Sequence, residues 1–205
     1  MPKNAETPAP AVSACSQAAA ANLNSQQLEV VTFLKAIGIP VQVVPELGQK
    51  GFLPGVLIQG GGLQVTPAGL VSDWLHEAGH VACVPTRFRG GLTGNVSAGV
   101  KAMFEQLDPL ELDPDHPLMR AALQCSDPEA TAWAWAAGCH LGLPPEMIIG
   151  NDQYDGDGAE IRAMLQANAY FGINGLVHAG MCQSARRPGG YPQLTKWLQD
   201  ADTDK

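Results

Sequence analysis

The chain has 205 residues and a formal net charge of −8, from 12 Lys and Arg against 20 Asp and Glu. This length suits one domain with a single core, and its acidic balance argues against a nucleic-acid partner, because neutralising phosphates needs clustered Lys and Arg. No stretch approaches the ~20 consecutive apolar residues of a membrane span, so we expect no membrane partner either.

The five cysteines are an odd number, and no two of them form a CxxC pair. This pattern indicates neither a disulfide framework nor a thiolate zinc site, and it predicts a cytoplasmic location. A thiol hydrolase that uses Cys139 or Cys182 with a histidine is an alternative, although free buried cysteines are more common.

The first predicted elements follow an N-terminal stretch, residues 1–22, that is rich in Ala, Pro, Ser and Asn and has no apolar periodicity. We interpret this stretch as a flexible tail and residues 23–205 as a single domain. The apolar spacing of residues 25–36 then predicts a short amphipathic helix, which Gly38 ends.

Short apolar runs bounded by Pro and Gly predict strands at residues 40–45 and 55–59, with a returning hairpin arm at 63–65. Thr66 and Pro67 suit the start of a helix over residues 66–84. Further helices are predicted at residues 97–107, 116–124, 127–141, 157–172 and 191–200. A few strands followed by many helices predict the α+β class.

The sharpest motif is His76-Glu77-Ala78-Gly79-His80, an HExxH sequence inside the helix predicted over residues 66–84. On a helix, residues four apart share a face, so His76 and His80 can bind one Zn²⁺ ion while Glu77 acts as general base. The apolar residues of this helix lie on the opposite arc. The alternative is a pair of ordinary histidines on a solvated face. Gly79 is costly within a helix and predicts a close approach by another element.

A catalytic zinc site needs a third protein ligand and an open fourth position, and we predict Glu129 as that ligand. It lies in the first turn of the helix over residues 127–141, whose small residues favour close packing against the HExxH helix. His140 is ~16 Å further along this helix and cannot share a metal with Glu129. Other carboxylates and two other histidines, His116 and His178, are the remaining candidates.

Several residues are candidates for supporting roles around the metal. Asp73 precedes His76 by one turn, where it either orients an imidazole or is a solvated helix residue. The group that stabilises a developing oxyanion could be His178, Tyr154 or Tyr170.

Four segments together resemble the zincin metallopeptidases, and among them the gluzincin-like ImmA/IrrE group. They are residues 33–44, 55–59, 74–81 with the HExxH motif, and 129–134. The resemblance implies a small twisted sheet whose edge strand packs on the active-site helix, with further helices towards the C-terminus. The chain differs from that group by a longer interval, the 48 residues 81–128, which contains an insertion at 85–124.

This resemblance implies a zinc-dependent hydrolase that cleaves a peptide or protein substrate. In such a mechanism, the metal activates water, Glu77 takes its proton, and an extended peptide can pair with the strand at residues 55–59. The alternative is a non-catalytic zinc-binding interaction protein on the same scaffold. Glu77 favours the enzyme, because a purely structural site needs no base.

Overall fold

The computed structural model describes residues 19–201, and these form an α+β fold as predicted. The strands are β1 (Val41–Val43), β2 (Val56–Gln59) and β3 (Gly62–Val65). The helices are α1 (Ser25–Ala36), α2 (Val71–Cys83), α3 (Thr86–Arg89), α4 (Val96–Leu107), α5 (Pro117–Ala122), α6 (Asp127–His140), α7 (Pro145–Ile148), α8 (Gly158–Gln166) and α9 (Gly172–His178). Most of the predicted tail, residues 1–18, lies outside the described residues. Ala19, near its end, is buried in the core.

The sheet has the order β1-β3-β2, with β3 in the centre. β1 is parallel to β3, and β2 is antiparallel to it with Val56 opposite Val65. The hairpin of β2 and β3 was predicted from the Gly turn between them. The parallel partner of β3 is β1, which precedes the hairpin in the sequence.

The outer edge of β2 is covered by neighbouring backbone. The amide of Gly94 donates to the carbonyl of Ile58 at 2.8 Å, and Gly51 packs so closely on the carbonyl of Val56 that a Cβ there would collide with it. Both outward carbonyls are therefore unavailable to an incoming strand. The expectation that an extended peptide pairs with residues 55–59 is not supported.

The HExxH helix α2 begins at Val71, five residues later than predicted from Thr66. The amide of Thr66 donates to the carbonyl of Gly55 (2.9 Å), which continues the pairing of the hairpin, and Gly69 closes a turn back to Thr66. Gln27 from α1 donates to the carbonyl of Gly69. Thr66 is therefore held in the hairpin and is not available as a helix cap.

Helix α2 is the central element of the core, and all of its residues are buried. One side packs against β2 and β3, and the other side against α6. Trp74 and Leu75 are fully buried in this core. A helix that is covered on every side holds its polar residues at fixed positions, because repacking it would open cavities.

Helices α2 and α6 approach each other most closely at Gly79. A Cβ at Gly79 would lie 2.5 Å from the carbonyl oxygen of Ala130 and 2.8 Å from its Cα. The close approach that the sequence predicted at Gly79 is thus confirmed. Helix α6 contributes a run of small buried residues to this contact, including Ala130 and Ala134.

The C-terminal segment packs on the end of α2 without forming the helix predicted at residues 191–200. The amide of Gln199 donates to the carbonyl of Ala82 at 2.8 Å, and the guanidinium of Arg89 donates to the carbonyls of Val81 and Gln199. The last carbonyls of a helix have no partner within it. This segment and Arg89 supply such contacts to α2.

Within residues 19–201, no helix is both long and apolar enough to cross a membrane.

We expect Gly79→Ala to destabilise the protein by about 1–3 kcal/mol, because the methyl group meets the backbone of Ala130. Alanine is the better helix former by about 1 kcal/mol, which offsets only part of this cost. Gly90→Ala is the matched control, since open space surrounds Gly90, and it should change stability by less than about 0.5 kcal/mol. Urea unfolding measures both, and equal stability of the two variants would contradict the close contact.

Candidate metal centre

Three ligand atoms converge where α2 meets the N-terminus of α6. Oδ1 of Asp127 lies 3.4 Å from Nε2 of His76 and 3.1 Å from Nε2 of His80, and all three atoms lie within 4.8 Å of one another. In tetrahedral zinc sites with bonds of ~2.0–2.1 Å, neighbouring ligand atoms are ~3.3–3.5 Å apart. Two nitrogens and one carboxylate oxygen at these separations fit a divalent metal ion.

The backbone places these groups without local distortion. His76 and His80 are four residues apart on α2, and their side chains are 11% and 7% exposed. Ser126 is the N-cap of α6, so Asp127 is the first residue of that helix, and its side chain is 76% exposed. The histidines therefore form the buried base of the cluster, and Asp127 forms its solvent side.

The electrostatics of the three groups suit metal ligands, which must be deprotonated. Hydrogen bonds from His76 and His80 hold the pKa of Asp127 well below its usual range. Burial lowers the pKa of His80, which favours the neutral imidazole. Nδ1 of His80 is buried and has no hydrogen-bond partner among the described residues.

The structure does not bring Glu129, the predicted third ligand, to this cluster. Its carboxylate accepts hydrogen bonds from the amide (3.1 Å) and hydroxyl (2.5 Å) of Ser126, and together they form the capping box of α6. Gly175 on α9 packs against the other carboxylate oxygen of Glu129. Asp127, two residues earlier, stands in its place beside the histidines.

Tyr154 contacts the ring nitrogen of His76 that faces away from the cluster. Its hydroxyl lies 3.1 Å from Nδ1 of His76 and 3.0 Å from the hydroxyl of Thr131. Tyr154 and Asp155 both have positive φ angles, 56° and 58°, a conformation that is uncommon for residues with a side chain. Tyr154, one of the predicted oxyanion candidates, is therefore placed to orient His76.

Asp73 accepts a hydrogen bond from Gln153, the residue before Tyr154. It is buried, and its Oδ1 accepts a hydrogen bond of 2.7 Å from the side-chain amide of Gln153. The same amide donates to Ser72 at 3.0 Å. Asp73 is thus neither solvated nor hydrogen-bonded to an imidazole. It fixes the 153–154 turn, and through that turn the position of the Tyr154 hydroxyl.

The other two oxyanion candidates differ in position. Tyr170 is buried and interacts electrostatically with Asp127 and Glu129, and burial raises the pKa of its phenol. His178 is exposed at the end of α9, where its backbone carbonyl accepts a hydrogen bond from Arg120. Tyr170 is therefore the candidate that remains near the cluster.

Glu77 is buried beside the cluster and lines the same cleft as His80 and Asp127. The pKa of Glu77 is raised to about 7, mainly by burial; His76 opposes this shift, and the charges of Asp127 and Asp73 add to it. A carboxylate with a pKa near the operating pH is well suited to accept and return a proton.

The cleft has a volume of about 890 Å³, within the ~300–1,000 Å³ range of ligand pockets. The loop at residues 49–52 forms one wall, and the first turns of α4 form another. Residues 122–127 close the end at which the cluster lies. Half of the lining residues come from the predicted insertion, residues 85–124.

Among residues 19–201, the remaining histidines and cysteines do not form a second centre of this kind. Nδ1 of His116 accepts the amide of Leu118 at the start of α5. His140 ends α6 as predicted, and its ring packs on Phe33 and Trp197.

The thiol-hydrolase alternative loses support. Burial raises the pKa of Cys182 to about 11 and also raises the pKa of Cys139. Neither thiol is activated, because the nucleophile in such enzymes is the thiolate.

Comparisons of the chain with protein-family models, with curated proteins and with solved structures find no match.

Proposed function

We propose that the protein is a zinc-dependent metallopeptidase in which His76, His80 and Asp127 hold the metal and Glu77 is the general base. The observation that carries the proposal is the convergence of two imidazole nitrogens and one carboxylate oxygen at the end of a cleft that Glu77 also lines. The proposal keeps the histidines and the base predicted from the HExxH motif and replaces Glu129 with Asp127.

The donor set supports zinc with an open position. Structural zinc sites are generally closed by four protein ligands, whereas catalytic sites have three and leave one position for water or substrate. The described cluster has three ligand groups, and its solvent side faces the cleft. Zinc in such a site supplies Lewis acidity, which lowers the pKa of water and polarises a carbonyl group.

Three roles in hydrolysis then fall to residues of the chain: proton transfer, orientation of an imidazole and stabilisation of the oxyanion. Glu77 accepts a proton from the attacking water and returns it to the leaving amine, as the residue after the first histidine does in HExxH hydrolases. Tyr154 and Thr131 keep the ring of His76 in one orientation. Tyr170, near Asp127, is the candidate for stabilising negative charge on the substrate carbonyl oxygen.

The buried Glu77 supports an enzyme over a non-catalytic zinc-binding scaffold. Burying a carboxylate is costly unless it is paired, and α2 keeps Glu77 at 4% exposure beside the cleft. A scaffold that only bound zinc would gain nothing from that cost.

The fold family, the cellular location and the substrate class are further parts of this proposal. We place the architecture among the zincins, because the HExxH helix packs on a strand of a small sheet and a later helix, α6, supplies the third ligand group. The four cysteines of residues 19–201 are free, which supports a cytoplasmic location. The cleft suits a peptide substrate, as its size is that of a ligand site.

Metal analysis tests the ligand set. We expect about one zinc ion per chain after purification without chelators. Asp127→Asn should weaken zinc binding by more than the ~10- to 100-fold that is typical for loss of an outer partner of a ligand. Glu129→Gln is the matched control: it removes a carboxylate two residues away and can keep the cap, so it should retain affinity. Calorimetric titration measures both, with circular dichroism to verify folding. The reverse order of the two affinities, or iron in place of zinc, would contradict the assignment.

Tyr154→Phe tests the orientation of His76. The substitution keeps the aromatic ring but removes the hydroxyl that contacts Nδ1, so zinc affinity should fall by about 10- to 100-fold. Tyr191→Phe is the matched control, because the Tyr191 hydroxyl donates to the carbonyl of Ala132 and not to the Tyr154–Thr131 pair, and it should leave the affinity close to that of the wild type. Competition with a fluorescent zinc chelator measures the affinities, and equal affinities for both variants would remove Tyr154 from this role.

Glu77→Gln separates hydrolysis from metal binding. The amide keeps the size of the side chain but cannot accept the proton, so hydrolysis of a peptide library should fall by about 10²-fold or more. Zinc content and melting temperature should stay close to wild-type values. Glu29→Gln on the exposed face of α1 is the control and should have full activity. Mass spectrometry of the digests gives the rates, and undiminished hydrolysis by Glu77→Gln would contradict the mechanism.

A further inference from the structure

The cleft carries an apolar stripe that the core covers only in part. Val96, Val100 and Phe104 recur every four residues on α4, and all three line the cleft, are half-buried and pack against the edge of the core. Met103 and Leu107 of the same helix are buried in the core. Helix α4 therefore has one apolar face inside the core and a second, partly covered one that borders the cleft.

Two other elements add exposed apolar side chains to the cleft. Phe52 is 85% exposed in the loop at residues 49–52, and Leu123 is 51% exposed after α5. Large side chains that face the same concave surface from several elements are typical of a ligand site.

The charges along the cleft differ between its ends. Glu77 and Asp127 are the acidic residues that line it, and both belong to the end at the metal centre. Away from that end, its charged lining residues are Lys50 and Lys101. A basic side chain in this part would meet apolar groups and the like charges of Lys50 and Lys101, whereas an apolar side chain could pack on the apolar stripe of α4 without charge repulsion.

The segment that covers the edge of β2 also forms part of this cleft. Gly94, whose amide donates a hydrogen bond to the carbonyl of Ile58 in that strand, also lines the cleft. The segment that prevents strand pairing therefore leads directly into the wall formed by α4.

We infer that this cleft is a specificity pocket for a large apolar side chain, aromatic or long aliphatic, of the residue next to the bond that is cleaved. The inference rests on the proposed function, because it takes the metal centre as the point of cleavage. The substrate class is then a peptide with an apolar residue at that position, and a peptide with Lys or Arg there is excluded.

Two zinc-binding hydroxamates test the pocket without turnover. Acetohydroxamate reaches only the metal, whereas 3-phenylpropanohydroxamate adds a benzyl group that can enter the cleft. We expect the phenyl compound to bind the zinc-loaded wild-type protein about 10- to 100-fold more tightly, the gain that is typical of burying an aromatic side chain. Calorimetric titration measures both affinities.

Substitutions in the cleft test which residues contact the phenyl group. Phe104→Ala should reduce the affinity ratio by at least about threefold, and so should Phe52→Ala, which is too exposed to affect folding. Both should retain the wild-type affinity for acetohydroxamate. Phe171→Ala is the matched control, because Phe171 is 63% exposed and does not line the cleft, so its ratio should equal that of the wild type.

The outcomes separate the pocket from the function on which it rests. Binding of acetohydroxamate with no gain from the phenyl group overturns the pocket and leaves the metal centre intact. A gain that both cleft variants retain also overturns it. Failure of acetohydroxamate to bind the zinc-treated protein contradicts the metal centre, and the proposed function fails with it. Quenched peptides test the preference by turnover. It is overturned if cleavage is faster before Lys than before Phe or Leu and is also as fast after Lys as after Phe or Leu.

Discussion

The contact between Gly79 and Ala130 is the constraint on which the candidate site depends. Asp127 can reach the imidazoles of α2 only because α6 lies almost against the backbone of that helix. The absence of a side chain at Gly79 allows this approach, and the small residues of α6 extend it. Helix propensity alone would favour alanine at position 79. The glycine therefore lowers the local stability of the helix but allows a short distance between the two helices. That distance sets the separation of the ligand atoms.

The local half of the candidate site could be predicted from the sequence, whereas its third member depends on how two helices meet. His76, Glu77 and His80 lie within one helical turn, so their spacing alone determined that they share a region of the helix surface. The third group depended on how α6 is capped. The prediction of Glu129 rested on its place in the first turn of this helix and on the small residues that favour close packing. In the structure, Ser126 and Glu129 form the capping box. The pattern Ser-x-x-Glu was present in the sequence, and it would have assigned Glu129 to the cap and left Asp127 free.

The other differences arise from contacts between distant segments. Thr66 and Pro67 are a good local helix start, but hydrogen bonds within the hairpin and from Gln27 hold this segment as a turn. The same kind of contact brings Gln153 to Asp73 across the chain and so places Tyr154 against His76. A local pattern cannot predict these pairs, because each residue alone is an ordinary polar residue. What the sequence does predict well is the class of the fold and the central helix, for which apolar periodicity is sufficient.

Residues 85–124 shape the cleft beside the candidate site. Their first part, around Gly94, covers the edge of β2. Helix α4 then brings an apolar stripe to the cleft, and Leu123 lines the same space. An open strand edge would recognise a peptide by backbone pairing, which is insensitive to side chains. With that edge covered, the proposed function requires recognition by the side chain that enters the cleft. Under that proposal, the segment that separates the HExxH helix from α6 along the chain also selects the substrates.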